Sequence, residues 1–193
     1  IRVRSMNRFV YDGKRRLYFL LGLALLLVAG YFLYFRDLNA LQEALDAYQQ
    51  GDFPRAMALY NELAAQQNPT ALFSLGVMAE RGEGGPVDRK QARIWYQRAA
   101  DAGNQFAQYN LGQMFSLGRS DERQPEQAVR YYQMAAEQGY DLAQLRLGQI
   151  YAHGDGVSRN LSEARRWFEL AAKQDNPLAR LELSKLERTD DAP

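Results

Sequence analysis

Hydrophobic positions fall along this chain in two different ways. From Leu17 to Phe35 they run together as LYFLLGLALLLVAGYFLYF, 19 residues without a charge. At about 1.5 Å per residue such a helix covers roughly 28 Å, close to the hydrocarbon thickness of a bilayer. From Ala40 onward, apolar and small residues recur at helical spacing between charged and amide positions, which predicts a series of amphipathic helices.

That second region repeats itself. Leu75-Gly76, Leu111-Gly112 and Leu147-Gly148 lie 36 residues apart, as do Ala92, Ala128 and Ala164, and Trp95, Tyr131 and Trp167. The pairs Ala99-Ala100, Ala135-Ala136 and Ala171-Ala172 keep the same register. A fixed period of this size marks stacked helical hairpins. The repeats are read as 69–104, 105–140 and 141–176. Helix A of each falls at 70–80, 105–117 and 141–152, and helix B near 88–102, 124–138 and 160–174. The turns between them are Arg81–Pro86, Gly118–Asp121 and His153–Val157, and the breaks between repeats fall at Gly103-Asn104, Gly139-Tyr140 and Asp175-Asn176. Before them, 37–68 reads as a shorter N-terminal hairpin with helices at 38–50 and 53–66, Asp52 serving as N-cap ahead of Pro54. After them, 177–193 reads as a capping helix from Pro177 to about Arg188 and a frayed tail from Thr189. No Gly or Pro separates Phe35 from Ala40, so the apolar helix either runs on into the first hairpin or breaks at Asp37 acting as an N-cap.

The small residues have a packing purpose. A helix-interior glycine costs about 1 kcal/mol relative to alanine, so one that recurs signals close contact. Gly76, Gly112 and Gly148 are expected to admit helix B of the same hairpin. Trp95-Tyr96, Tyr131-Tyr132 and Trp167-Phe168 are expected to fill the space between hairpins.

These residues resemble the Sel-one-like repeat (SLR), a longer relative of the tetratricopeptide repeat. Its pattern is matched in repeat three by Ala143, Leu147, Gly148, Tyr151, Gly154, Gly156, Val157, Ala164, Trp167, Phe168, Ala171 and Ala172, with Asp175 where Gly is expected. Repeat one matches it at Ala71, Leu75, Gly76, Gly82, Gly84, Val87, Ala92, Trp95, Tyr96, Ala99, Ala100 and Gly103, with one extra turn residue around Gly85. Repeat two loses the Gly-x-Gly-Val turn. The resemblance implies an all-α, right-handed α-solenoid and an adaptor that assembles protein complexes, often in cell envelopes or secretory pathways. Some bacterial members are linked to penicillin binding or hydrolysis. They form a cysteine-rich group, and this chain has no cysteine.

Charge adds a direction. Arg2, Arg4, Arg8, Lys14, Arg15 and Arg16 precede the apolar run against Asp12 alone, whereas Arg36 follows it among Asp37, Glu43, Asp46 and Asp52. Lys and Arg resist translocation, so 1–16 is expected on the cytoplasmic side and the repeats beyond the membrane. In a Gram-negative bacterium that is a single-pass inner-membrane protein with a periplasmic domain. A cleavable signal peptide shares this order of segments, but the run is long for one and Ala29-Gly30-Tyr31 lacks an A-x-A-like site. Downstream of the span acidic residues outnumber basic ones, and no basic stripe points to nucleic acid.

The residues offer little chemistry. No catalytic, cofactor or metal residues are predicted. His153, the single histidine, sits in a turn without a partnered nucleophile. Absence of cysteine and of paired histidines leaves no metal set. Arg81–Pro86 resembles a phosphate loop only superficially, since it follows a helix rather than a strand. Glu122, Glu126, Asp190 and Asp191 fall on solvated faces.

A docking role remains, on the inner face lined by helices A. By repeat register, three rows are expected there: Thr70, Phe106 and Leu142; Phe73, Tyr109 and Leu145; Val77, Gln113 and Gln149. Aromatics beside glutamines suit an extended peptide or partner helix; alternatively Phe73 and Tyr109 pack between neighbouring helices. The leading reading is a membrane-anchored adaptor, an accessory subunit of an envelope complex. The alternatives are a peptidoglycan- or polysaccharide-binding module using Trp95, Trp167 and the tyrosines, or a cell-wall enzyme.

Overall fold

The computed structural model describes residues 2–117 and 123–190, with side chains over 20–31, 36–117 and 123–188. Among these the chain is all α: α1 (Arg2–Gln49), α2 (Phe53–Ala65), α3 (Pro69–Arg81), α4 (Arg89–Asp101), α5 (Gln105–Leu117), α6 (Pro125–Glu137), α7 (Asp141–His153), α8 (Leu161–Ala172) and α9 (Pro177–Asp190). Every extensive contact joins helices consecutive in sequence, α1 to α2 through α8 to α9. Such an array is a solenoid: each hairpin buries its apolar face only against its neighbours.

The period governs more than the apolar positions. Positive φ occurs at Gln67 (59°), Gly103 (89°), Gly139 (92°) and Asp175 (65°), each 36 residues after the last. The residue one step later opens the next helix A. Asn68 accepts from the amides of Thr70 and Ala71, Asn104 from that of Ala107, and Asn176 from those of Leu178 and Ala179. Side-chain oxygens thereby satisfy amides that the first turn leaves without partners. Helix B is opened in the same way by Asp52, Asp88 and Asn160, which accept from the amides of Arg55, Gln91 and Glu163. Gln124 and Tyr140 hold the equivalent positions without a side-chain cap. The turn lengths correct one expectation. α3 to α4, α5 to α6 and α7 to α8 are joined by seven residues each, so repeat one carries no extra residue; its valine sits later in a turn of equal length. The repeat-two turn, Gly118–Asp121, and Glu122 lie outside the described residues.

Close approach occurs at the glycines. A methyl group on Gly76 would lie 2.6 Å from the Tyr96 ring, one on Gly112 2.7 Å from Tyr132, and one on Gly148 within 2.3 Å of Phe168. The second aromatic of each pair therefore fills space inside its own hairpin, not between hairpins as expected. Of the first aromatics, Tyr131 reaches outward, donating to Gln97 Oε1 of the preceding hairpin (2.8 Å), while it stacks on Phe115 of its own hairpin at 5.6 Å. The second turn glycines serve the joints, since a Cβ on Gly84 would strike Met57 and one on Gly156 would strike Pro125, both on the preceding helix B.

The hairpins are also joined by polar contacts that the apolar pattern conceals. Buried Gln108 and Gln144 donate to the carbonyls of Ala100 and Ala136. Each accepts in turn from a glutamine at the end of its own repeat's helix B, Gln138 (2.7 Å) and Gln174 (2.9 Å). A buried amide so satisfied fixes the register between neighbours.

α1 settles the open question of the linker. It is continuous from Arg2 to Gln49. Asp37 lies within it, bonded to Arg36, and does not begin a new helix. Its last turns bury Ala44 and Ala47 against α2, while every residue from Leu20 to Tyr31 is exposed. This is the one helix among the described residues long and apolar enough to cross a membrane.

Candidate interaction surface

The three rows expected on helices A can now be placed. Phe106 (43% exposed), Leu142 (37%) and Thr70 are exposed; Phe73, Val77, Tyr109, Gln113 and Gln149 are half-buried; Leu145 (4%) is withdrawn among Ala164, Phe168 and Ala179. Leu145 therefore belongs to the core between α7, α8 and α9 and presents nothing to a partner.

The half-buried aromatics form a chain across the repeats. Phe73 lies 5.8 Å from Phe106, Phe106 5.3 Å from Tyr140 edge-on, and Tyr140 5.2 Å from Tyr109, also edge-on. Phe73 and Tyr109 also touch Tyr96 and Tyr132 of their own hairpins at 5.8 and 5.6 Å. Phe73 and Tyr109 thus pack between neighbouring helices, and their outer edge is continuous with exposed Phe106. Offset and edge-to-face rings at these separations stabilise beyond their buried area. Tyr140 was not among the expected residues. Its signal was its place at the opening of α7, where the other repeats have a capping Asn.

Beyond the aromatic chain the face turns polar. A pocket of about 190 Å³ lies between α5 and α7, lined by Gln113, Ser116, Arg146, Gln149, His153 and Asp155 among others. Gln113 ties the two zones together by donating to the Tyr109 hydroxyl (3.1 Å). Arg146 donates to Gln149 Oε1 (3.1 Å), and Arg123 holds both oxygens of Asp155 at 2.7 and 2.8 Å. His153 is the last residue of α7 rather than a turn residue, and its Nδ1 lies 2.7 Å from the Gln149 carbonyl, so this nitrogen carries the proton. Behind the pocket, burial raises the Tyr132 hydroxyl pKa above the ordinary tyrosine value, neighbouring Tyr109 adds to this, and Arg146 opposes it.

Of the rings named for a glycan platform, Trp95 is half-buried, with the Arg98 guanidinium 4.8 Å from its ring centre. Trp167 is 7% exposed with its indole N–H unpartnered, and Tyr96, Tyr131 and Tyr132 are buried, so a stacking platform made of these rings is not displayed. No group of three His, Asp or Glu residues is arranged for a metal among the described residues.

Comparison with known proteins agrees with the array. The Sel1 repeat family model matches residues 69–104, 105–140 and 141–176, more than half the chain, and the protein belongs to the Sel1 repeat family. Repeats of this kind generally mediate protein–protein interaction, and proteins built from them are typically non-enzymatic scaffolds. A Sel1 repeat protein from Oxalobacter formigenes superposes with a TM-score of 0.72 at 34% identity, over 78% of this chain and 44% of its own. A protective antigen present in uropathogenic Escherichia coli strains, displaying an SLR fold, gives 0.73 at 28% identity, over 78% and 33%. In sequence, 59 residues are 42% identical to a part of the ERAD-associated E3 ubiquitin-protein ligase component HRD3B of Arabidopsis thaliana, 28% of this chain and 10% of that protein. The chain thus spans less than half of each of these relatives.

Proposed function

We propose that this protein is a single-span membrane adaptor whose helix-A face docks another membrane or envelope protein, as an accessory subunit of a bacterial inner-membrane complex. One observation carries the reading: the fully exposed apolar stretch from Leu20 to Tyr31 belongs to the same helix that builds the first hairpin. Twelve exposed apolar or small residues in succession have no place in water, and lipid is the solvent that suits them. The basic residues of 1–16 orient the N-terminus to the cytoplasm and the solenoid to the periplasm. Signal-anchor character follows from the same segment. A tether raises the local concentration of the solenoid near membrane partners, so a short face of modest affinity suffices. The plant relative, named as a component of a ligase, accords with a role inside a larger assembly.

A photo-crosslinking residue tests this in the full-length protein in its native membrane. Placed at Phe106 it is expected to yield a discrete adduct that disappears with Leu142→Asp, while the same probe at exposed Glu126 on α6 yields none. Equal adducts at both sites, or none at Phe106, would refute the docking face.

A further inference from the structure

The polar pocket on the helix-A face carries a guanidinium that no carboxylate among the described residues balances. Arg146 lines it, is exposed, and among the described residues has no carboxylate within ion-pair distance; its bond is to the neutral amide of Gln149. The carboxylate of the pocket, Asp155, is held at both oxygens by Arg123. His153 has committed Nδ1 to a carbonyl, which leaves Nε2 free of that contact. Among the described residues the pocket therefore offers a guanidinium and an imidazole edge, and its one carboxylate is already engaged by Arg123. Its volume of about 190 Å³ accommodates one short side chain, not a folded element.

The surroundings limit the ligand further. Phe106 and Leu142, the exposed apolar pair, precede Gln113 and Gln149 by seven residues on α5 and α7. Seven residues of helix advance about 10 Å. An extended chain covers that distance in about three residues. We infer that the pocket receives the carboxylate of a Glu or Asp side chain in an extended segment of the partner protein, about three residues from a large apolar side chain that rests on Phe106 and Leu142. This inference rests on the helix-A face being the docking surface, and it assigns that surface a chemistry. A charge-assisted contact with a planar guanidinium is stronger and more directional than a neutral one, which makes Arg146 the discriminating residue.

The test uses a library of random dodecapeptides, each fused at its C-terminus so that only side chains supply carboxylates. The library is selected on the full chain in lipid nanodiscs and counter-selected on empty nanodiscs. The enriched sequences are expected to share an acidic residue about three positions from a large apolar one. Selection on Arg146→Gln is expected to keep the apolar preference and lose the acidic one. A synthetic enriched peptide should bind that variant about fivefold more weakly, its Glu→Gln form should lose the same factor, and the two changes together should cost no more than either alone. Arg146 is exposed, so the thermal melt of the variant should be unchanged. Enriched peptides without an acidic residue, or with affinity indifferent to Arg146→Gln, would overturn the carboxylate assignment while leaving the docking face intact, provided Leu142→Asp abolishes their binding. Absence of enrichment, or enrichment indifferent to Leu142→Asp, would overturn both.

Discussion

Leu20–Tyr31 and Ala40–Tyr48 are stretches of one unbroken helix, yet their apolar residues meet opposite conditions. In the first, every residue is exposed, Leu25, Leu26 and Leu27 each by about 70%. In the second, one face is turned to the core: Ala44 and Ala47 vanish against α2, with Leu41 and Tyr48 packed beside them. The first is apolar on all sides and exposed along its whole length; the second is apolar on one stripe and is fitted to a particular neighbour. Hydrophobicity alone therefore does not mark a core. Its angular distribution around the helix does, and one backbone carries both distributions, all-round in one part and one-sided in the other.

The strongest way to break this comparison is to add the same atoms to a glycine of each kind. Gly148→Val places a Cβ in the Phe168 ring, whereas Gly22 has nothing within 4 Å. Overpacking of this degree is expected to cost about 3 kcal/mol, and calorimetry should show the solenoid of Gly148→Val melting well below wild type. Gly22→Val should leave that transition where it was. If both variants melt alike, the apolar segment is part of the solenoid core.

A smaller effect concerns the opening of the helices. Asn68→Ala removes two amide caps at the start of α3. The loss should be about 1 kcal/mol by chemical denaturation. High pH probes the interior in another way. Burial, then the hydrogen bond to Glu80, raises the Tyr96 pKa, and burial likewise raises that of Tyr132. A tyrosine raised in the folded state contributes stability in full below the unfolded pKa near 10, and loses it as pH climbs from there toward the folded value. The denaturation midpoint should stay level up to about pH 9, fall above pH 10, and fall less steeply in Tyr132→Phe. The smallest change is a gain. Asp175 occupies the left-handed position that Gly103 and Gly139 hold in the other repeats, and its contact with Arg180 is solvent-exposed. Asp175→Gly should stabilise by about 0.5 kcal/mol, the backbone relief exceeding the surface pair.

Much of this architecture was legible in the sequence because both of its signals are periodic or long. The 36-residue register announced the hairpins, and the uncharged run announced the exposed helix. The glycine contacts were readable too, because Gly76, Gly112 and Gly148 recur where a helix interior should avoid them. What escaped were relations that depend on angle within a turn of helix. Adjacent aromatics such as Trp167 and Phe168 look alike in sequence, but only the second points to the glycine of its own hairpin. Leu145 keeps the register of Phe73 and Tyr109, yet it is smaller and sinks among Phe168 and Ala179. Gln108 and Gln144 read as ordinary polar positions, although they are buried joints. The pocket needed the distance between α5 and α7, and no spacing along one chain supplies it.

The account stands or falls on whether α1 passes from cytoplasm through lipid into the solenoid. The chain has no cysteine, so single cysteines report single sites. Lys14→Cys, Leu26→Cys and Glu126→Cys would each be treated with a membrane-impermeant maleimide in right-side-out bacterial membrane vesicles. The account predicts that Glu126→Cys labels at once, Lys14→Cys only after the vesicles are opened, and Leu26→Cys only in detergent. Rapid labelling of Leu26→Cys in intact vesicles, or recovery of the protein in the soluble fraction, would contradict it.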